Sequence, residues 1–302
     1  TMAISRAQLV KELEPGLNAL FGLEYKSYAN EHAEIFDTES SDRAFEEEVM
    51  LSGFANAAVK PEGQGVQFDD AQETFTARYT NETIALAFAI TEEAIEDNLY
   101  DRLASRYTKA LARSMANTKQ VKAAAVLNNG FNANFAGGDG VALFSDVHPT
   151  IAGTFSNELA VASDLNETSL EQALIDIAAM TDERGLKIAA RGMKLVIPSA
   201  LQFTADRLMK SEGRTGTADN DINAVRNMGM IPQGYTVNHF LTSAKKWFIK
   251  TDVPNGLKHF VRSPIKTSME GDFDTGNVRY KARERYVFGF SDPRGIFGSD
   301  AV

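Results

Sequence analysis

The strongest constraint on this fold is a long stretch that nothing interrupts. From Glu92 to Leu127 there is neither proline nor glycine, and alanine is frequent, so the sequence predicts one continuous helix. Thr91 stands as its N-cap, Glu92 and Glu93 complement the helix dipole, and Asn128-Asn129-Gly130 supplies the stop. A helix of that length spans about 50 Å. Ile95, Leu99, Leu103 and Tyr107 make its first apolar stripe, continued less cleanly by Leu111, Met115 and the alanines at 123–125. In a chain of 302 residues such an element acts as a strut.

The segments before the strut cannot bury themselves. Residues 1–40 read as an arm with two short helices: Ser5 caps the run Leu9, Val10, Leu13, then Glu14-Pro15-Gly16 breaks it, and Leu17, Leu20, Phe21 and Tyr25 form a second apolar stripe. Residues 42–82 read as a long β-hairpin with limbs Phe45–Val59 and Val66–Thr80 and a turn at Lys60-Pro61-Glu62-Gly63-Gln64-Gly65. On the return limb Phe75, Ala77 and Tyr79 face one way, and Thr74, Thr76, Arg78 and Thr80 the other. A two-stranded ribbon this long is marginal alone in water, so it needs a surface to lie on. Thr83–Ile90 is expected to be a buried strand.

Beyond the strut, residues 130–168 are loop-rich. Thr168 or Ser169 is expected to cap a helix over Leu170–Glu183 that stops at Gly185. Met193–Ile197 reads as a strand, Ala200–Lys210 as a helix, residues 211–221 as a mobile polar loop, and Tyr235–Leu241 and Lys246–Lys250 as strands. The sharpest pattern is the last. From Asn277 to Phe290, Val278, Tyr280, Ala282, Tyr286, Phe288 and Phe290 alternate with Arg279, Lys281, Arg283 and Arg285, and Glu284 alone breaks the apolar side. That predicts one buried and one cationic face.

The chemistry-bearing residues form no catalytic constellation. Without cysteine there are no disulfides, thiolate metal sites or cysteine nucleophiles. The four histidines, His32, His148, His239 and His259, are scattered. Asp146 and His148 offer two metal ligands where a site needs three or four. Asp219-Asn220-Asp221 lacks the spaced acids and closing glutamate of a calcium loop. Gly137-Gly138-Asp139-Gly140 has no phosphate-binding spacing, and Glu46-Glu47-Glu48 alternates across a strand instead of pairing carboxylates. No metal, cofactor or catalytic residue is assigned. A net charge of −10 argues against nucleic acid as the main ligand. No stretch approaches the roughly 18 apolar residues of a membrane span, and the N-terminus lacks the basic-then-apolar layout of a signal peptide. The strip Arg279, Lys281, Arg283, Arg285 has three readings: a solvated face, a contact with a neighbouring copy's acids such as Glu46–Glu48, or a contact with DNA.

The order of arm, long hairpin, strut helix, glycine-rich loop, α/β portion and late strand resembles the major capsid proteins of tailed bacteriophages, the Hong Kong 97 fold. Three stretches carry the resemblance: Gly138–Pro149, Leu195–Leu201, and Gly271–Arg279 with Gly289–Gly295. It implies an α+β fold with an N-terminal arm (1–41), an extended hairpin loop (42–82), a peripheral domain with a spine helix (83–130), a mostly axial domain (131–260) and a return strand (261–302). It implies a structural subunit that self-assembles into pentamers and hexamers of an icosahedral head around double-stranded DNA, in a virion built in the bacterial host cytoplasm. Implied partners are other copies, a separate scaffolding protein (or a fused scaffolding segment already cleaved), a portal and a decoration protein, with no membrane and no sequence-specific DNA contact. Inter-subunit contacts are expected at Glu46, Glu47, Glu48, Lys60, Pro61, Glu62, Arg78, Arg279, Lys281, Arg283 and Arg285. Some relatives cross-link through a lysine on the extended loop, and Lys60 stands at the tip here, but the residues give no basis for that chemistry. The alternatives are an encapsulin-like nanocompartment shell, a hydrolase using Asp146 and His148, and a small-oligomer binding module.

Overall fold

A computed structural model describes residues 6–91, 93, 100–213, 221–272 and 276–301. The start of the strut and most of the polar loop at 211–221 lie outside the described residues.

Two four-stranded sheets organise the chain. The first has the order β1 (Asp37–Ser40), β10 (Leu257–Gly271), β11 (Val278–Phe290), β4 (Glu82–Ile90). Here β10 and β11 form a long antiparallel ribbon, Leu257 opposite Phe290 through Gly271 opposite Val278, and β11 pairs antiparallel with β4 from Tyr286/Glu82 to Val278/Ile90. The second sheet has the order β12 (Ile296–Ser299), β9 (Trp247–Thr251), β7 (Gly192–Ile197), β8 (Tyr235–Val237). Ribbon β2 (Phe45–Leu51) with β3 (Glu73–Thr80) stands apart, as does the short pair β5 (His148–Thr150) and β6 (Gly153–Phe155).

The strut is a helix over its described part, Tyr100–Asn128, and ends where the asparagine-glycine stop predicts. It lies with the arm on one face of the first sheet, where Leu111, Ala112 and Met115 pack with Leu17, Phe21, Ile90, Tyr280 and Ala282. The arm departs from expectation. It is a single helix, Arg6–Ser27, with Pro15 inside. An interior proline costs about 3 kcal/mol, and Leu17 and Phe21, both buried against the strut, offset that cost.

The second sheet carries its own core. Trp247, Ile249, Leu195, Ile197 and Phe297 pack against Leu170, Leu174 and Ile177 of the helix Glu167–Ala179 and against Ala205 and Leu208 of the helix Gln202–Lys210. The cap of Glu167–Ala179 is Asn166, two or three residues earlier than expected. Its side chain accepts from Ser169 N, and Ser169 answers with its hydroxyl, a reciprocal capping box.

Three further expectations are corrected. The hairpin ladder is shorter, ending at Leu51 opposite Glu73. The strand β4 is an edge, with Ala85, Leu86, Ala87 and Ala89 exposed, because nothing among the described residues covers its outer face. The 15-residue strand β10 carries no clear period-two pattern, since Pro264 and two register shifts between Val261 and Lys266 disrupt its alternation. The expected division at 260/261 falls inside it.

At the start of β10, Gly256 meets Gly295 backbone to backbone. A methyl group on Gly256 would sit 2.7 Å from Gly295 Cα, where neither chain has room to give. Gly256→Ala is expected to destabilise the subunit by about 1–3 kcal/mol through overpacking, read as a lowered midpoint in chemical denaturation. An unchanged midpoint would show that the two backbones separate freely.

Candidate functional site

The hairpin base is anchored firmly. Ala77 and Tyr79 are buried as the alternation predicts, with the Tyr79 ring 4.9 Å from that of Phe260. Burial pushes the Tyr79 hydroxyl above its ordinary range. Tyr79 bonds to the Ser291 hydroxyl, which donates to Glu48, and Glu48 also faces Lys258 at 3.4 Å. Glu46 holds a turn: it accepts from Ser41 Oγ at 2.7 Å and from the backbone N–H groups of Asp42 and Arg43, and the Ser41 bond is the first cause of its lowered carboxyl pKa. Glu47 pairs across the ribbon with Arg78 at 3.7 Å, both exposed, and Arg78 covers the Phe45 ring. The three glutamates therefore serve three local tasks. Each is held by a different element of its own subunit.

Beyond the ladder the two limbs continue as irregular chain. Ser52 N donates to Gln72 O and Gln72 N to Ser52 Oγ, each at 2.9 Å, and Ala55 N donates to Asp69. At the tip Gln64 N closes on Pro61 O, with Gly63 at φ +80°, a turn that needs glycine there. Lys60, Pro61 and Glu62 are exposed at this tip, as predicted. Phe54 and Val66 are exposed nearby, and Val59 and Phe68 are each 93% exposed. Large apolar side chains displayed together on a protruding loop mark an interaction surface.

The cationic face of β11 lies on the side of the first sheet away from the helices. Arg279, Lys281 and Arg283 are exposed and Arg285 is half-buried. Opposite them stand Ala89, Ala87, Ala85 and Thr83 on β4, and Glu270, Ser268, Lys266 and Ser263 on β10. Arg279 pairs with Asp272; among the described residues Lys281, Arg283 and Arg285 have no ion-pair partner. The alanine row keeps this surface low, so the cations stand proud of it.

Asp146 and His148 do not meet as a catalytic pair. Asp146 is exposed, whereas His148 is fully buried, its Nδ1 2.5 Å from Asp139 Oδ2 and its Nε2 3.1 Å from Asn157 Oδ1. Asn157 Nδ2 donates to the carbonyls of Leu143, Pro293 and Ile296. The network pins the glycine-rich loop to the closing segment and leaves the imidazole no route to a substrate. Among the described residues no cluster of three or more His, Asp or Glu side chains is arranged to hold a metal.

Sequence reading missed two buried clusters. Glu284, the exception on β11, is 1% exposed and accepts from Lys119 Nζ at 2.7 Å and Tyr25 Oη at 3.2 Å. This joins strand, strut and arm, and the irregular position of Glu284 was the available signal. His32 and His259 meet with ring centroids 5.2 Å apart, and His259 stacks on Phe288. They stand 227 positions apart, and nothing local announces that contact.

Three comparisons bear on what such surfaces serve. A family model described as phage capsid protein matches residues 73–299. The chain belongs to the phage capsid protein family. Among solved structures it is similar to a procapsid of bacteriophage JBD30 (TM-score 0.55, 15% identity, covering 98% of this chain and 76% of that one). It is also similar to a virus-like particle from Pyrococcus furiosus (0.54, 11%, 95% and 98%) and to the capsid of an empty GTA particle (0.54, 13%, 91% and 91%). No curated protein matches. The fold is α+β and Hong Kong 97-like, and the capsid subunit is a structural protein of a virion shell. The nanocompartment alternative gains no better support.

Proposed function

We propose that this capsid protein is the repeating subunit of an icosahedral head, closing as pentamers and hexamers around double-stranded DNA. In this reading it has no enzymatic activity. Residues 1–41 act as the arm and 42–82 as the extended loop. Residues 83–130 with the return strand form the peripheral part, and the second sheet and its helices form the axial part. Scaffolding, portal and decoration proteins, and assembly in the host cytoplasm, belong to the same proposal. What carries it is the loop at 53–72, which displays Phe54, Val59, Val66 and Phe68 to solvent while its base is clamped by Ser52 and Gln72. A neighbouring copy would bury those side chains, and weak contacts repeated around each ring close a shell through multivalency. The exposed Lys281 and Arg283 on their flat alanine-lined strip supply a second contact, to an acidic surface of a neighbour.

The test separates folding from assembly. Replacing residues 54–68 with a short glycine-serine turn should leave the denaturation midpoint nearly unchanged, because these side chains contribute little to the folded core. The same change should abolish shells and capsomer rings in size exclusion and negative-stain images, with scaffolding supplied. Reversing Lys281 and Arg283 to glutamate should reduce assembly in the same assay. Normal shells from the loop variant would overturn the proposal.

A further inference from the structure

We propose that the cleft between the hairpin base and the closing segment binds an aliphatic ammonium or guanidinium cation. The site consists of two adjoining cavities of about 450 and 340 Å³ that share Met50, Leu51, Glu183, Pro254, Asp292 and Arg294.

The charges in this wall do not balance. Arg294 is 3% exposed, and each nitrogen of its guanidinium has a partner, with Nη1 also 4.0 Å from Met50 Sδ. Its Nε donates to Thr181 O at 2.7 Å, Nη1 to Asp292 Oδ1 at 3.3 Å and Nη2 to Glu183 Oε1 at 2.8 Å. One guanidinium thus serves two carboxylates, and Glu183, 4% exposed, keeps its Oε2 buried without a partner among the described residues. A buried carboxylate oxygen left unpaired is costly, and the lowest-cost remedy is a positive donor. Burial pushes the Asp292 carboxyl above its ordinary range, against the opposing pull of Arg294 and His148. Glu48 and Asp139 border the same cleft, but Lys258 and His148 already occupy them.

The form of the missing cation follows from the walls. No metal-holding cluster is present among the described residues. The lining combines Met50, Leu51 and Pro254, which suit methylene groups, with Glu183 and Asp292, which suit a charged head. A diamine, or a lysine or arginine side chain from a second copy, shares that chemistry.

The experiment titrates the subunit and, separately, assembled shells with 1,4-diaminobutane and with Nα-acetyl-arginine amide, following the Met50 methyl resonance and the heat of binding. Saturable binding to the subunit, with a shifted Met50 signal, is expected for at least one probe, weakened at least tenfold by Glu183→Gln. Binding retained in shells identifies a free cation as the occupant; binding confined to the subunit identifies a neighbour's side chain. If Glu183→Gln fails to fold, the Met50 shift in the natural protein still decides. No saturable binding, or equal binding in a folded Glu183→Gln variant, would overturn the proposal.

Discussion

Lys119→Met is expected to destabilise the subunit by about 3–5 kcal/mol, a large part of the total stability of a domain. The substitution strands Glu284, whose side chain is 1% exposed and whose Oε1 already lacks a partner, leaving a carboxylate with only Tyr25 as donor. The lysine is held strongly. Burial alone would lower its pKa, but the charge and hydrogen bond of Glu284 and the Tyr25 hydroxyl pull it the other way, and the net shift is upward. The Lys119 ammonium also lies 4.9 Å from the centre of the Tyr286 ring, a further contact that methionine only partly replaces. The double change Lys119→Met with Glu284→Leu should recover most of the loss, because an apolar pair of similar volume avoids desolvating two charges. A denaturation series on the natural protein and these two variants checks this. A loss below about 1 kcal/mol for the single change would mean that the pair behaves as a surface ion pair, with Glu284 reached by water.

The second large effect is acid sensitivity centred on His259. Burial first, then the charges of His32 and Lys119, push its imidazole down to about 3. His32 is also lowered, chiefly by burial. Both rings are nearly inaccessible, and His32 Nδ1 and His259 Nε2 have no hydrogen-bond partner among the described residues. A histidine kept neutral in the folded state and free to charge when unfolded contributes stability at neutral pH. That stability is lost as pH falls below the unfolded value near 6.5 and is gone once pH passes the folded value. For His259 alone the loss between pH 7 and pH 5 is about 2 kcal/mol. His32 adds to it in the same direction. His259→Phe should flatten the dependence by a similar amount, since phenylalanine keeps the stack on Phe288 at the cost of the Thr38 contact. Denaturation midpoints of both proteins at pH 7, 6 and 5 measure this, and parallel curves would refute the assignment. Physically, acid loosens the junction of the turn Glu31–Glu34, β1 and β10, where the arm joins the body.

These clusters mark the reach of local sequence rules in this chain. Local rules located the strut, the alternation of β3 and β11, the Pro61–Gln64 turn and the end of the strut at Asn128. Each depends on residues a few positions apart. The same rules failed where distant packing decided the outcome. Pro15 should end a helix, and the arm continues through it because Leu17 and Phe21 dock on the strut. Residues 53–59 and 66–72 look like strand, yet pairing stops at Leu51 and Glu73. The 15 residues of β10 hide behind Pro264 and its register shifts, though that strand is one of the two inner strands of the first sheet.

The candidate surfaces divide in the same way. Lys60 at a turn tip and Lys281 and Arg283 on a strand face were legible because exposure follows from turn chemistry and period-two alternation. That Glu46, Glu47 and Glu48 would serve three separate partners was not, since Ser41, Arg78 and Lys258 reach them from different elements. Nor was the Glu183–Arg294–Asp292 cluster, whose first and last members in sequence stand 111 residues apart. Sequence alone determined the strut, the alternating faces of β3 and β11 and the turn at the loop tip, because propensity and periodicity act within a few residues. Tertiary structure alone decided which charges are buried together, because burial is set by whatever distant segment comes to lie on top.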